Sequence, residues 1–186
     1  LLPSPPAPKV EANASFQQQE TAMTDTAFHT VFGSLESYRK GEIEITSGSA
    51  RHYAFSNIFE VASQSTPYEK VVVGKNLEYV IEVLRTEGRS AWFACAHDEF
   101  AILMDGEVQI DFIKLDTPPA AGQGTIHAAE APAGRAMGHV VLRKGHQAML
   151  PAGCAYRFSA RQAGVAIVQT MLGELSVQKW ADVCLH

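Results

Sequence analysis

Cys95, His97 and Glu99 alternate along the chain, so an extended backbone would turn a thiol, an imidazole and a carboxylate to the same side. That trio suits a divalent metal. The plainer reading has Glu99 in an ion pair or at the mouth of a barrel. His139 and His146 flank Gly145 without a ligand partner at fixed spacing and read as turn or surface histidines, while His127 lies in a long connecting stretch that could reach a partner. Arg51, His52 and Tyr53 form a polar and aromatic cluster, a candidate for edging an active site carried by a partner. Nucleophile elbows, phosphate-binding glycine loops and the paired carboxylates of glycosidases are absent.

The elements that must position these residues are mostly strands. Val71-Val72-Val73, Tyr79 to Leu84 and Ala91 to Ala94 are rich in β-branched and aromatic residues. Further strands are expected at Val140 to Leu142, Ala148 to Leu150, Tyr156 to Phe158 and Val165 to Met171. Asp105-Gly106, between two apolar runs, predicts a hairpin. Asp116 to Gly138 is rich in Pro, Gly and Ala, an excursion of about 20 residues whose length suggests binding. Ahead of the strands, Phe28, Val31, Phe32, Leu35 and Tyr38 recur at helical spacing, after Thr24 or Asp25 as cap and before Gly41. A second short helix is expected to begin near Ser56 and to carry Ile58, Phe59 and Val61. Residues 1–23, rich in Pro, Ala, Ser and Gln, cannot bury enough surface alone and are expected to lie on a partner.

A chain of 186 residues, 46% hydrophobic, can bury one good core. Its 15 Lys and Arg against 20 Asp and Glu, a net charge of −5, disfavour nucleic acid or an anionic membrane as partner. Three cysteines without a CxxC spacing read as reduced thiols rather than a disulfide framework or a zinc site. No run reaches the ~18–20 apolar residues of a membrane span, and the prolines at 3, 5, 6 and 8 interrupt any signal-peptide core. A cytoplasmic location is the expectation.

Two glycine-anchored stretches resemble the halves of the cupin signature, G-x5-H-x-H-x3,4-E-x6-G and G-x5-P-x-G-x2-H-x3-N. Gly145, Pro151 and Gly153 keep the second scaffold, and Glu99 stands seven residues before Gly106. With the three-residue spacing, however, Phe93 and Cys95 occupy the two histidine positions, Tyr156 the third and Ala160 that of the asparagine. The resemblance implies an all-β cupin, a double-sheet jelly-roll barrel over residues 65–186. Ahead of it stand an N-terminal helical segment (24–64) and an extended polar arm (1–23). Phe93, Cys95, Glu99 and Tyr156 are then degenerate metal positions holding no metal, where Phe93 and Tyr156 fill the emptied site and Tyr156 bonds Glu99. The turn this signature places before its glutamate would break the register of Cys95, His97 and Glu99.

A closer likeness runs through Tyr68 to Leu77, Ala96 to Val108 and Asp111 to Asp116, with Ser56 to Ala62 and Gly145 to Phe158 also similar. These segments resemble the small (alpha) subunit of two-component hydroquinone 1,2-dioxygenases, over most of residues 24–186. The likeness implies a larger cupin subunit as partner in an α2β2 heterotetramer, with Fe(II) in that partner and none in this chain. The reaction implied is O2-dependent opening of hydroquinone to 4-hydroxymuconic semialdehyde, this chain having no catalytic residue of its own. Two alternatives remain: a stand-alone small cupin enzyme, or a small-molecule-binding cupin, each with an atypical site around Cys95, His97 and Glu99.

Overall fold

The structure, a computed structural model, describes residues 33–36, 57–122 and 124–179. All belong to one compact unit, Phe32–His186. The polar arm, the expected Phe28 helix, Cys184 and the cluster Arg51, His52 and Tyr53 lie outside the described residues.

Among the described residues one helix, α1 (Ile58–Gln64), precedes the strands. Asn57 caps it, its Oδ1 accepting from the backbone N–H groups of Phe59 (3.0 Å) and Glu60 (3.4 Å). A helix of seven residues gains little from propensity and depends on packing. Phe59, Val61 and Ala62 are its buried residues. They join Val71, Val73, Val83 and Val165 in an apolar cluster on one face of the sheet.

Ten strands follow among the described residues: β1 (Lys70–Asn76), β2 (Tyr79–Arg89), β3 (Phe93–Ala94), β4 (Glu99–Asp105), β5 (Glu107–Leu115), β6 (Ile126–His127), β7 (Gly134–Arg143), β8 (Gln147–Leu150), β9 (Cys154–Met171) and β10 (Ser176–Val177). The all-β barrel expectation holds, and β9 organises it. Its C-terminal half lies between β2 and β4, and beyond these come β1, β10 and β8. Its N-terminal half lies between β3 and β5, flanked in turn by β6 and β7. One strand thus serves both halves of a curled sheet. Tyr68, Leu84, Phe93, Leu103, Ile110, Tyr156 and Phe158 are among the buried residues of the main core.

The sequence expectation fails at Asp105-Gly106. β4 and β5 do not pair with each other; both pair with β9, β4 opposite Val165 to Gln169 and β5 opposite Cys154 to Ser159. The dipeptide is a kink in a long ribbon, not a hairpin tip. Gly106 takes φ 83°, and a Cβ there would stand 3.1 Å from the Gly164 Cα. Register shifts at Thr86/Gly88 and Leu103/Asp105 occur on either side of the same stretch of β9, where the ribbon passes between the two halves. The excursion from Asp116 is also more ordered than expected, since β6 and the first five residues of β7 fall within it.

Candidate functional site

The second glycine scaffold builds the entry to β9. Gly145, at φ 84°, donates its N–H to the Leu103 carbonyl (2.8 Å), and the Leu103 N–H returns to His146 (2.9 Å). Gly153, at φ 68°, donates to the Cys95 carbonyl (2.9 Å), tying the turn after Pro151 to the end of β3. Asp98 receives the Ala152 N–H on Oδ1 (2.8 Å). These bonds bring β3, the start of β4 and the start of β9 together.

Glu99 is fully buried there. Tyr156 Oη donates to its Oε2 (2.6 Å) and Thr125 Oγ1 to its Oε1 (2.5 Å). A buried carboxylate needs its charge met by donors, and two hydroxyls supply them. The Tyr156 bond agrees with the sequence expectation. Thr125 was not foreseen, because its place in a Pro- and Gly-rich stretch shows nothing of where its hydroxyl ends.

Phe93 stands opposite Tyr156 on β9 and His127 on β6. Its ring stacks on His127 (centroids 5.4 Å) and tilts against Tyr156 (5.8 Å) and Phe158 (6.4 Å). The Lys70 ammonium sits 5.3 Å from its centroid, a cation over an aromatic face. Lys70 in turn pairs with Glu82 at 3.0 Å, both side chains buried, and Ser176 donates to the other Glu82 oxygen (2.6 Å). Sequence reading missed this pair. Its signal was a charge inside each of two apolar runs, Lys70-Val71-Val72-Val73 and Tyr79 to Leu84.

Cys95, His97 and Glu99 are drawn together despite a bend at Ala96-His97: their ligand atoms all lie within 4.8 Å of one another. Each is nevertheless engaged. His97 Nε2 accepts the Met171 N–H (3.3 Å) and lies 3.0 Å from Thr170 Oγ1. That leaves the ring proton for Nδ1, 2.9 Å from Cys95 Sγ. Burial, then the Glu99 charge, lifts the Cys95 thiol from 9.0 to about 11, so it is protonated at neutral pH. Burial and the Glu99 charge likewise hold the Tyr156 phenol well above its usual range. It is a hydrogen-bond donor and not a base.

An iron site of the two-histidine, one-carboxylate kind does not fit these residues. The signature's histidine positions hold a phenyl ring, a thiol and a phenol, and Glu99 already accepts two hydroxyls. His139 and His146 are exposed, and the His146 ring accepts the Arg143 N–H. Ala160 is buried in the core. Cys154 is a buried thiol 3.6 Å from the Met137 sulfur, and Cys95 is a buried thiol as well.

The thiol has a consequence for stability. Its folded pKa lies above the unfolded one, so between pH 9 and 11 the folded state holds more protons. Its contribution is full below pH 9 and is lost as pH rises through about 11. Cys95→Ala should therefore flatten the fall in unfolding free energy across that window, measured by urea titration at successive pH values. An unchanged slope would remove Cys95 as its source.

No helix among the described residues is long and apolar enough to cross a membrane. No protein-family model matches the sequence, and no curated protein does. Solved structures do match. A chain of the hydroquinone 1,2-dioxygenase PnpCD, solved with Cd2+ and 4-hydroxybenzonitrile, is 62% identical with a TM-score of 0.81, over 87% of this chain and 99% of that one. The hydroquinone 1,2-dioxygenase of Sphingomonas sp. TTNP3, with 4-hydroxybenzoate bound, is 49% identical with a TM-score of 0.79, over 84% and 97%. A longer chain of PnpCD, solved with Fe3+, shares the fold at 14% identity and a TM-score of 0.53, over 38% of its length. PnpCD thus has two kinds of chain, and this protein matches the shorter from end to end. By that identity and coverage, the chain belongs to the hydroquinone 1,2-dioxygenases, as one of their cupin subunits.

Proposed function

We propose that this chain is the small, metal-free and non-catalytic subunit of an Fe(II)-dependent hydroquinone 1,2-dioxygenase in the cytoplasm. It associates with a longer cupin subunit, in an α2β2 heterotetramer, that holds the iron and opens hydroquinone with O2 to 4-hydroxymuconic semialdehyde. The observation that carries this reading is the state of Glu99. Both of its oxygens are taken by the Tyr156 and Thr125 hydroxyls, and Phe93 and Tyr156 occupy two histidine positions. A pocket so filled has the packing of a barrel core and lacks the ligands of a reaction centre. The longer PnpCD chain, with the same fold, supports the division of labour. Arg51, His52 and Tyr53 are our candidates for residues reaching the partner's active site.

The second reading is an independent cupin enzyme or ligand-binding cupin, favoured by the proximity of Cys95, His97 and Glu99. Metal there would have to strip the Cys95 proton and displace the hydroxyls on Glu99. One experiment separates the two readings. Hydroquinone-dependent oxygen uptake and bound iron are measured at pH 7 for each purified subunit and for the mixture. Uptake only by the mixture, with no stoichiometric iron on this chain, is expected. Turnover by this chain with added Fe(II), or near-equimolar iron lost on Glu99→Ala, would overturn the subunit reading.

A further inference from the structure

β7 pairs with β5 from Gly134 to Arg143 and with no other strand among the described residues. Of its ten residues only Leu142 is buried. The exposure reaches both faces. Val140 stands opposite Ile110, itself wholly buried and opposite Phe158, so Val140 belongs to the inward row; it is still 40% exposed. Val141, on the outward row, is 43% exposed and Met137 51%. Among the described residues this strand is open on two faces and one edge, and it presents backbone donors and acceptors beside apolar side chains, the arrangement that recruits another strand.

Charge says which kind of strand. No Asp or Glu occurs between Glu130 and Glu174, although the whole chain has 20 and a net charge of −5. Arg135 and Arg143 lie on β7 and Lys144 in the turn after it; Arg143 pairs with Glu107 of β5 (2.7 Å) and Lys144 donates to the Gly33 carbonyl (3.3 Å), while Arg135 stands exposed. Two copies of β7 set antiparallel would bring these cations against one another, which like-charge pairing across strands disfavours. A different chain with acidic flanks would meet them favourably.

We propose that the free edge of β7 is where the longer subunit docks, through an extended segment flanked by Asp or Glu. This rests on the two-subunit reading above.

The test uses the full chain and its longer subunit, titrated together and run on a sizing column. The double variant Arg135→Glu with Val141→Glu should raise the dissociation constant at least tenfold and separate the two chains on the column. Phe100→Ser with Met149→Ser, exposed on the other half of the sheet, should change it less than twofold. Melting curves confirm that each variant is folded; should the double variant not fold, Arg135→Glu alone, at an exposed position, is read for a weaker shift in the same direction. Wild-type affinity in the β7 variant overturns the docking site but leaves the two-subunit reading standing. So does a β7 effect confined to self-association of this chain, which would make a second copy the occupant. No complex between the wild-type chains overturns both.

Discussion

Lys70→Ala is expected to destabilise the fold by about 3–5 kcal/mol, the range for breaking a buried ion pair from one side. The Lys70 and Glu82 side chains are 1% and 0% exposed and 3.0 Å apart. Without the ammonium, the Glu82 carboxylate would keep only the Ser176 hydroxyl, in surroundings that water does not reach. Against a total stability of about 5–15 kcal/mol, such a loss is large. At this size it corresponds to about 2–4 °C of melting temperature for each kcal/mol. The pair together is a different matter. Because each ion carries a desolvation cost, Lys70→Met with Glu82→Met should come close to the wild type in stability. Urea unfolding of the single and double variants checks both statements. A loss under about 1 kcal/mol for Lys70→Ala would mean that water reaches Glu82 after all.

Restoring histidines at two signature positions, Phe93→His with Tyr156→His, should cost about 1–3 kcal/mol. The Tyr156 ring packs edge-on against Phe158 (centroids 5.6 Å) and its hydroxyl holds Glu99 Oε2. Imidazole is smaller than phenol, so the change leaves volume unfilled and removes that hydroxyl. At 93, the new ring would place polar nitrogens between His127 and the Lys70 ammonium, where a phenyl face now serves both. The Lys70 charge would also disfavour protonation of the new ring. Thermal melting reads the sum, and a midpoint equal to the wild type would show that neither ring contributes to the core as its burial implies.

Several features were open to sequence reading because their causes are local. The strand-rich pattern after Pro67 needs only β-branched and aromatic residues in short runs, and the observed strands follow it. The turns at Gly145 and Gly153 need positive φ, which glycine adopts without strain, and both adopt it. The short helix expected near Ser56 runs from Ile58 to Gln64 and carries Ile58, Phe59 and Val61 as its apolar spacing implied. The missing histidines, and the Tyr156 bond to Glu99, followed from the resemblance to the cupin signature once its positions were laid on this chain.

Tertiary structure decided the rest, wherever a residue's partner lies far along the chain. Asp105-Gly106 has the local chemistry of a hairpin, yet β9, some 60 residues on, takes both flanking strands as neighbours and turns the pair into a kink. Thr125 reaches Glu99 across 26 positions, and nothing in its own neighbourhood marks it as a donor to a buried carboxylate. Glu82 looks like an error in an apolar run until the pairing of β1 with β2, which puts it opposite Val72, brings the Lys70 ammonium within 3.0 Å of it. A bend was expected to part Cys95, His97 and Glu99, and it draws them together instead. The open edge of β7 is decided the same way. Its sequence showed a strand only at Val140 to Leu142, and the set of strands around it among the described residues is what leaves one edge and most of its side chains exposed. Local propensity selects an element and its turns; which edge, face or charge is satisfied depends on contacts that form only when the sheet closes.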